Sequence, residues 1–116
     1  MSDTQRKAQD LGMKISKCLQ MLAWLYDNAR DEAFPSRVAK APTGYGLLDE
    51  GGEIIVKEVK HIGPSTRYSV TLNYWHRPVI QANGQDIAEL AKGMARSVAE
   101  NLGEQVMSIF AEEPEQ

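Results

Sequence analysis

The stretch from Arg67 to Trp75 constrains this chain more than any other part of it. Tyr68, Val70, Leu72 and Tyr74 alternate with Arg67, Ser69, Thr71 and Asn73. A period of two, carried by β-branched and aromatic residues, defines a strand with one buried face and one polar face. Between Arg67 and His76 there is neither a charge nor a proline. An uncharged strand of this length is an aggregation hazard at a free edge, so both of its edges are expected to be paired.

One partner precedes it. Residues Glu53 to Ile62 include the apolar run Ile54-Ile55-Val56, and Gly63-Pro64-Ser65 supplies a turn, so the two segments read as an antiparallel hairpin. With Pro64-Ser65 at the tip, His61 stands opposite Tyr68, Val59 opposite Val70, Lys57 opposite Leu72 and Ile55 opposite Tyr74. The other edge is expected to meet a brief third strand at Val79-Ile80-Gln81 or a second subunit.

Helices are expected at both ends of the chain. Leu11, Ile15, Cys18, Leu22, Leu25 and Ala29 are spaced alternately by four and three, which places them on one helical stripe, and Leu19 and Tyr26 widen it. Asp3 or Thr4 is the expected cap. Met13, Met21 and Trp24 fall well off that stripe at about 100° per residue; Trp and Met are enriched in interface cores, so the three form a candidate second contact surface. Phe34-Pro35 breaks the helix. A connection follows to Gly52, with a helical turn at Ser36–Ala41, a turn at Thr43–Gly46 and Leu47-Leu48 as an anchor. The last helix starts near Asp86, whose spacing to Glu89 fits a capping box, and its apolar side is Ile87, Leu90, Ala91, Met94, Val98, Leu102, Val106 and Ile109. The expected fold is therefore α+β: a long N-terminal helix, a β-hairpin with room for a short third strand, and a long C-terminal helix. Because an isolated two-stranded sheet is marginal, the sheet is expected to be extended or covered by oligomerisation, with a homodimer as the simplest form.

The 116 residues fit one domain, with fraying expected at residues 1–4 and in the acidic tail 112–116. Hydrophobic residues at 42% and charged residues at 25% are ordinary globular values, and the chain is long enough to bury a core without disulfides or metal. The formal charge of −3 argues against binding to nucleic acid or to anionic membranes through bulk charge. The single cysteine, Cys18, lies on the core stripe, which fits a buried thiol in a reducing compartment. No signal-peptide pattern and no run of about 20 apolar residues is present, so a cytoplasmic protein without a membrane span is expected.

Catalytic patterns are weak. The two histidines, His61 and His76, fall near opposite ends of the hairpin and cannot share a metal within it. Metal-ligand spacings such as C-x-x-C or H-E-x-x-H do not occur, and neither does a G-x-S-x-G elbow. Gly44-x-Gly46 lacks the context of a phosphate loop, and Asp49, Glu50 and Glu53 read as a solvated turn. No catalytic residue, metal or cofactor is assigned.

The sharpest contact candidate is Trp75-His76-Arg77, where an exposed Trp beside Arg can stack and make charge-assisted hydrogen bonds. The expected function is that of a non-enzymatic protein that occupies a macromolecular partner as an adaptor, chaperone or inhibitor; phage-encoded inhibitors of host complexes are one such class. The first alternative is a nucleic-acid-binding module that uses Arg37, Lys40, Lys57, Lys60 and Arg67, although the alternation separates these charges from Tyr68 and Tyr74. The second is a small-molecule binder or enzyme at a subunit boundary, built from the Gly44–Gly52 loop, His76 and Arg77.

Overall fold

A computed structural model describes residues 2–40, 45–49, 51–62 and 65–111. The chain runs α1 (Asp3–Ala29), α2 (Phe34–Lys40), β1 (Tyr45–Asp49), β2 (Gly52–Ile62), β3 (Ser65–Tyr74), β4 (Arg77–Gly84) and α3 (Ile87–Ala111). It is an α+β fold in which long N- and C-terminal helices pack on a four-stranded antiparallel sheet of order β1-β2-β3-β4.

The alternation in β3 does what its chemistry requires. Tyr68, Val70 and Leu72 are buried, while Arg67 is exposed and Ser69, Thr71 and Asn73 stay partly accessible. Both edges of β3 are paired within the chain, by β2 and by β4, so no second subunit is needed there. The expected third strand at Val79–Gln81 is the longer β4, and the expected anchor at Leu47 belongs to a fourth strand, β1, with Leu47 opposite Ile54. Ile55 apart, the opposite face of the sheet is mostly polar and partly cross-linked, since Asn73 Nδ2 donates to Glu53 Oε1 at 3.0 Å and Gln81 Nε2 donates to Ser69 Oγ at 3.0 Å.

The β2–β3 register differs from the expected one. Ile62 pairs with Ser65, which keeps a two-residue loop but moves it one residue toward the N-terminus, and Glu58 pairs with Tyr68, Val56 with Val70 and Ile54 with Leu72. The position of the turn sets hairpin register, and moving it by one residue carries the whole pairing with it. A bulge between Glu58 and Lys60 then expels Val59, which is 58% exposed, while Ile54 and Val56 enter the core. Gly63 and Pro64 lie outside the described residues, as do Gly44 and the acidic tail from Glu112.

Helix α1 is capped by Ser2 rather than by Asp3 or Thr4. Gln5 N donates to Ser2 Oγ at 3.2 Å and Ser2 N donates to Gln5 Oε1 at 3.1 Å, a reciprocal capping box. Asp86 caps α3 by accepting from Glu89 N at 3.1 Å. The turn expected after Phe34-Pro35 is the helix α2, in which Pro35 occupies the tolerated first turn. Phe34 and Val38 drop from α2 into the same cluster as Leu22, Leu25, Ile54, Val70, Met94 and Val98.

The helices outrun the sheet. The principal extents are 63 × 23 × 20 Å and the radius of gyration is 16.6 Å, against roughly 13 Å for a compact chain of this length. Residues 5–10 of α1 are exposed, and Met107 and Phe110 of α3 are 70% and 59% exposed.

Two buried groups give the fold an alkaline limit. Burial pushes the Cys18 thiol above its usual 9.0, partly offset by Lys14. Burial first, and then the Glu58 carboxylate, pushes the Tyr68 phenol above its usual 10.0. Both groups ionise at lower pH in the unfolded chain than in the fold. Their stabilisation is therefore complete below the unfolded values and is lost as pH rises through the folded ones. Urea midpoints should fall progressively above about pH 9, and the slope should flatten in a Cys18→Ala, Tyr68→Phe variant. An equally steep fall in that variant would place the alkaline sensitivity elsewhere.

Candidate contact site

A single tight turn sets the site. Tyr74 pairs with Arg77 across the β3–β4 connection, so Trp75 and His76 are the whole loop. Both have positive φ, 50° and 66°. Two-residue loops with positive φ at both positions match the right-handed twist of the strands, and they favour Asn-Gly because a bulky side chain is strained there. The left-handed region costs roughly 1–2 kcal/mol for each non-glycine residue.

The Trp75 side chain is held in place yet remains open to solvent. Its ring stands edge-on to Tyr74, with centroids 6.1 Å apart and planes at 80°. Its backbone N–H donates to the carbonyl of Gly51, in the neighbouring β1–β2 turn. Gly51 has φ 74°, and a Cβ there would stand 2.7 Å from Trp75 Cε2, so only glycine suits both the turn and the ring. Even so, 64% of Trp75 is exposed.

Helix α1 reaches this corner because Gly52 permits a close approach. A Cβ on Gly52 would overlap Met21 Cε and would lie 3.0 Å from Lys17 Cγ. The Met21 side chain therefore enters the core, 1% exposed, and belongs to the packing rather than to the second surface expected from its place on the helical wheel. Trp24, from the same expected set, is half-buried and packs against the core. Its carbonyl accepts from Asn28 Nδ2 at 2.8 Å. Met13 remains 59% exposed. The wheel misjudged Met21 and Trp24 because α1 is covered on more than one side, touching α3, β2 and β3.

Two open clefts flank the aromatic pair. One, of about 550 Å³, is walled by Lys7, Leu11 and Lys14 of α1, Arg77 and Val79 of β4, and Ile109 of α3, with Tyr74 and Trp75 at its edge. The other, of about 510 Å³, lies between the same aromatics and Asp10, Met13 and Lys17. A bulge shapes the first: Leu72 pairs with Ile80 and Asn73 with Pro78, which leaves Val79 as the extra residue on β4. Such a bulge re-aims a side chain, here toward the cleft.

Of the expected contact residues, Trp75, Arg77 and Met13 gather around these clefts, and His76 shares the turn. Sequence reasoning missed Lys7, Asp10, Lys14 and Lys17, although their 3-4-3 spacing was visible. They lie on one line of α1 that continues to Met21. That line is apolar where the sheet covers it and charged where the helix passes the sheet's end.

The residues proposed for nucleic acid split between two faces of the molecule. Arg37 pairs with Asp31 at 3.3 Å and lies over the Phe34 ring at 5.4 Å, on the helical layer with exposed Lys40. Lys57 and Arg67 alternate with buried Val56 and Tyr68 and so lie on the opposite face of the sheet. The Lys60 side chain is outside the described residues. Among the described residues, no group of three or more His, Cys, Asp or Glu side chains is placed to hold a metal ion. No helix there is long and apolar enough to cross a membrane. Comparison with protein families, curated proteins and solved structures finds no match.

Replacing the loop by Trp75→Asn with His76→Gly should relieve the backbone and raise the unfolding free energy by about 1–2 kcal/mol, read from urea denaturation. Gly51→Ala should lower it by about 1–3 kcal/mol. A destabilised Asn-Gly variant would mean that the Trp75 contacts outweigh the strain.

Proposed function

We propose that this chain is a non-enzymatic binding protein that occupies a macromolecular partner, with the Trp75-His76-Arg77 tip and its flanking clefts as the contact. The observation that carries this reading is a large aromatic side chain, mostly open to water, on a turn whose backbone would be better served by small residues. Strain of this kind persists where surrounding structure over-determines it and where it serves a function. Trp and Arg are the side chains that most often dominate binding energy. Lys57 and Arg67 lie on the sheet face away from Arg37 and from the Trp75 clefts, and this separation of charge from the exposed aromatic favours a protein partner over nucleic acid. The fully buried Cys18 fits a reducing compartment such as the cytoplasm.

The test is photocrosslinking in the native host from an unnatural residue at His76, followed by mass spectrometry. The expected result is one dominant crosslinked protein, lost on Trp75→Ala while circular dichroism stays native. Labelling that survives Trp75→Ala unchanged would remove the tip from the contact.

A second reading, self-association, draws support from Met107 and Phe110. Three residues apart on α3 and strongly exposed, they lie on the side of the helix turned away from cleft residues Gln105, Ser108 and Ile109. A pair of such faces would form a homodimer that leaves the clefts open. Light scattering after size exclusion should give a dimer mass at tens of micromolar, reverting to monomer in Met107→Lys, Phe110→Glu. A monomer in the parent protein would end this reading.

A further inference from the structure

The chemistry of the clefts specifies more than a generic contact. Their described walls carry Lys14 and Arg77 against one carboxylate, Asp10, with Lys7 and Lys17, which have interactions of their own, at the margins. This occurs in a chain whose formal charge is −3. The cations surround an apolar floor of Leu11, Val79 and Ile109, beside the exposed Trp75 ring. We propose that the clefts bind an acidic, amphipathic peptide segment of the partner protein. Its apolar side chains lie on Leu11, Val79, Ile109 and Trp75, and its carboxylates meet Lys14 and Arg77. This rests on the reading of the Trp75 tip as a contact site.

Three features favour that ligand. A floor of aliphatic side chains desolvates apolar groups, which a sugar-phosphate backbone does not supply. Arg77 presents a planar fork suited to a carboxylate, and Lys14 adds a point charge across the cleft from it. Asp10 lines both clefts, which penalises a continuous polyanion such as single-stranded nucleic acid more than a peptide whose carboxylates are spaced. Both clefts are open and share the Tyr74–Trp75 ridge, so an extended or helical segment can place side chains in each.

The experiment uses the full chain carrying Trp24→Phe, so that Trp75 is the only tryptophan and its emission reports on the site. The probes are a synthetic peptide of about twelve residues alternating Glu or Asp with Leu or Phe, its Gln/Asn twin, and a thymidine oligonucleotide of similar length, at low salt of about 50 mM. The acidic peptide should bind roughly tenfold or more tightly than its amide twin. That advantage should shrink as salt rises, and Lys14→Glu with Arg77→Glu should erase it without weakening the twin. Labelled peptides read by polarisation on Trp75→Ala separate the two layers of the argument. If acidic and amide peptides bind alike and both depend on Trp75, the acidic preference is overturned and the contact site stands. If Trp75→Ala changes neither, both fall. Tighter binding of the oligonucleotide, or no binding of the acidic peptide, overturns the proposal.

Discussion

The close approach of α1 to the sheet at Gly52 governs the rest of the molecule. Where Met21 fills the space that a Cβ would take, the helix lies deep against β2 and β3, and Cys18, Leu22 and Leu25 follow it into the core with no exposure or almost none. Burying such side chains stabilises a fold by roughly 1.5–3 kcal/mol each. The layer they build with Ile54, Val70, Leu72, Met94 and Val98 holds the long helices where intrinsic propensity would not, since Gly93 and Gly103 weaken α3. The same depth brings the preceding turns of α1 past the end of the sheet and over the β3–β4 tip.

That overhang is where the molecule changes character. A helix over a sheet needs apolar residues on the facing line; a helix beyond the sheet needs solvated ones. The line through Lys7, Asp10, Lys14, Lys17 and Met21 makes this change within about four turns, and the β3–β4 turn places an aromatic residue at the crossover. The clefts are thus a consequence of offset rather than of length, since α1, with 27 residues, and β2, with 11, both span roughly 35–40 Å. They are lined by charge because water, not protein, covers those positions.

The Trp75-His76 turn departs from the consistency that the rest of the chain shows. Its neighbours follow local preference: Ser2 and Asp86 cap helices, Gly51 takes the positive φ of its turn, and Pro78 sits on an edge strand where its missing N–H costs least. At the tip, side-chain identity opposes backbone preference, and the Tyr74 ring and the Gly51 carbonyl hold the conflict in place. Local conflicts surrounded by agreement are where function is most economically sought.

The sequence by itself determined the α+β class, the two long helices with their stripes, the buried face of β3 and the need to pair both its edges. Each rests on a periodicity that short-range sterics and burial impose. Only the tertiary structure decided the rest. A one-residue displacement of the turn and the bulge at Val59 set the β2–β3 register, which alternation alone left open because Ile54, Ile55 and Val56 are apolar on both faces. The fourth strand was hidden among glycines that signal turns. The burial of Met21 and Trp24 depended on how many neighbours α1 acquires, which a helical wheel does not contain. The site joins residues of α1, the hairpin tip and the end of α3. The sequence held the Lys7–Lys17 spacing and the Trp75-His76-Arg77 run, but their meeting depends on how far a helix extends past a sheet, and that is settled by packing between segments distant in the chain.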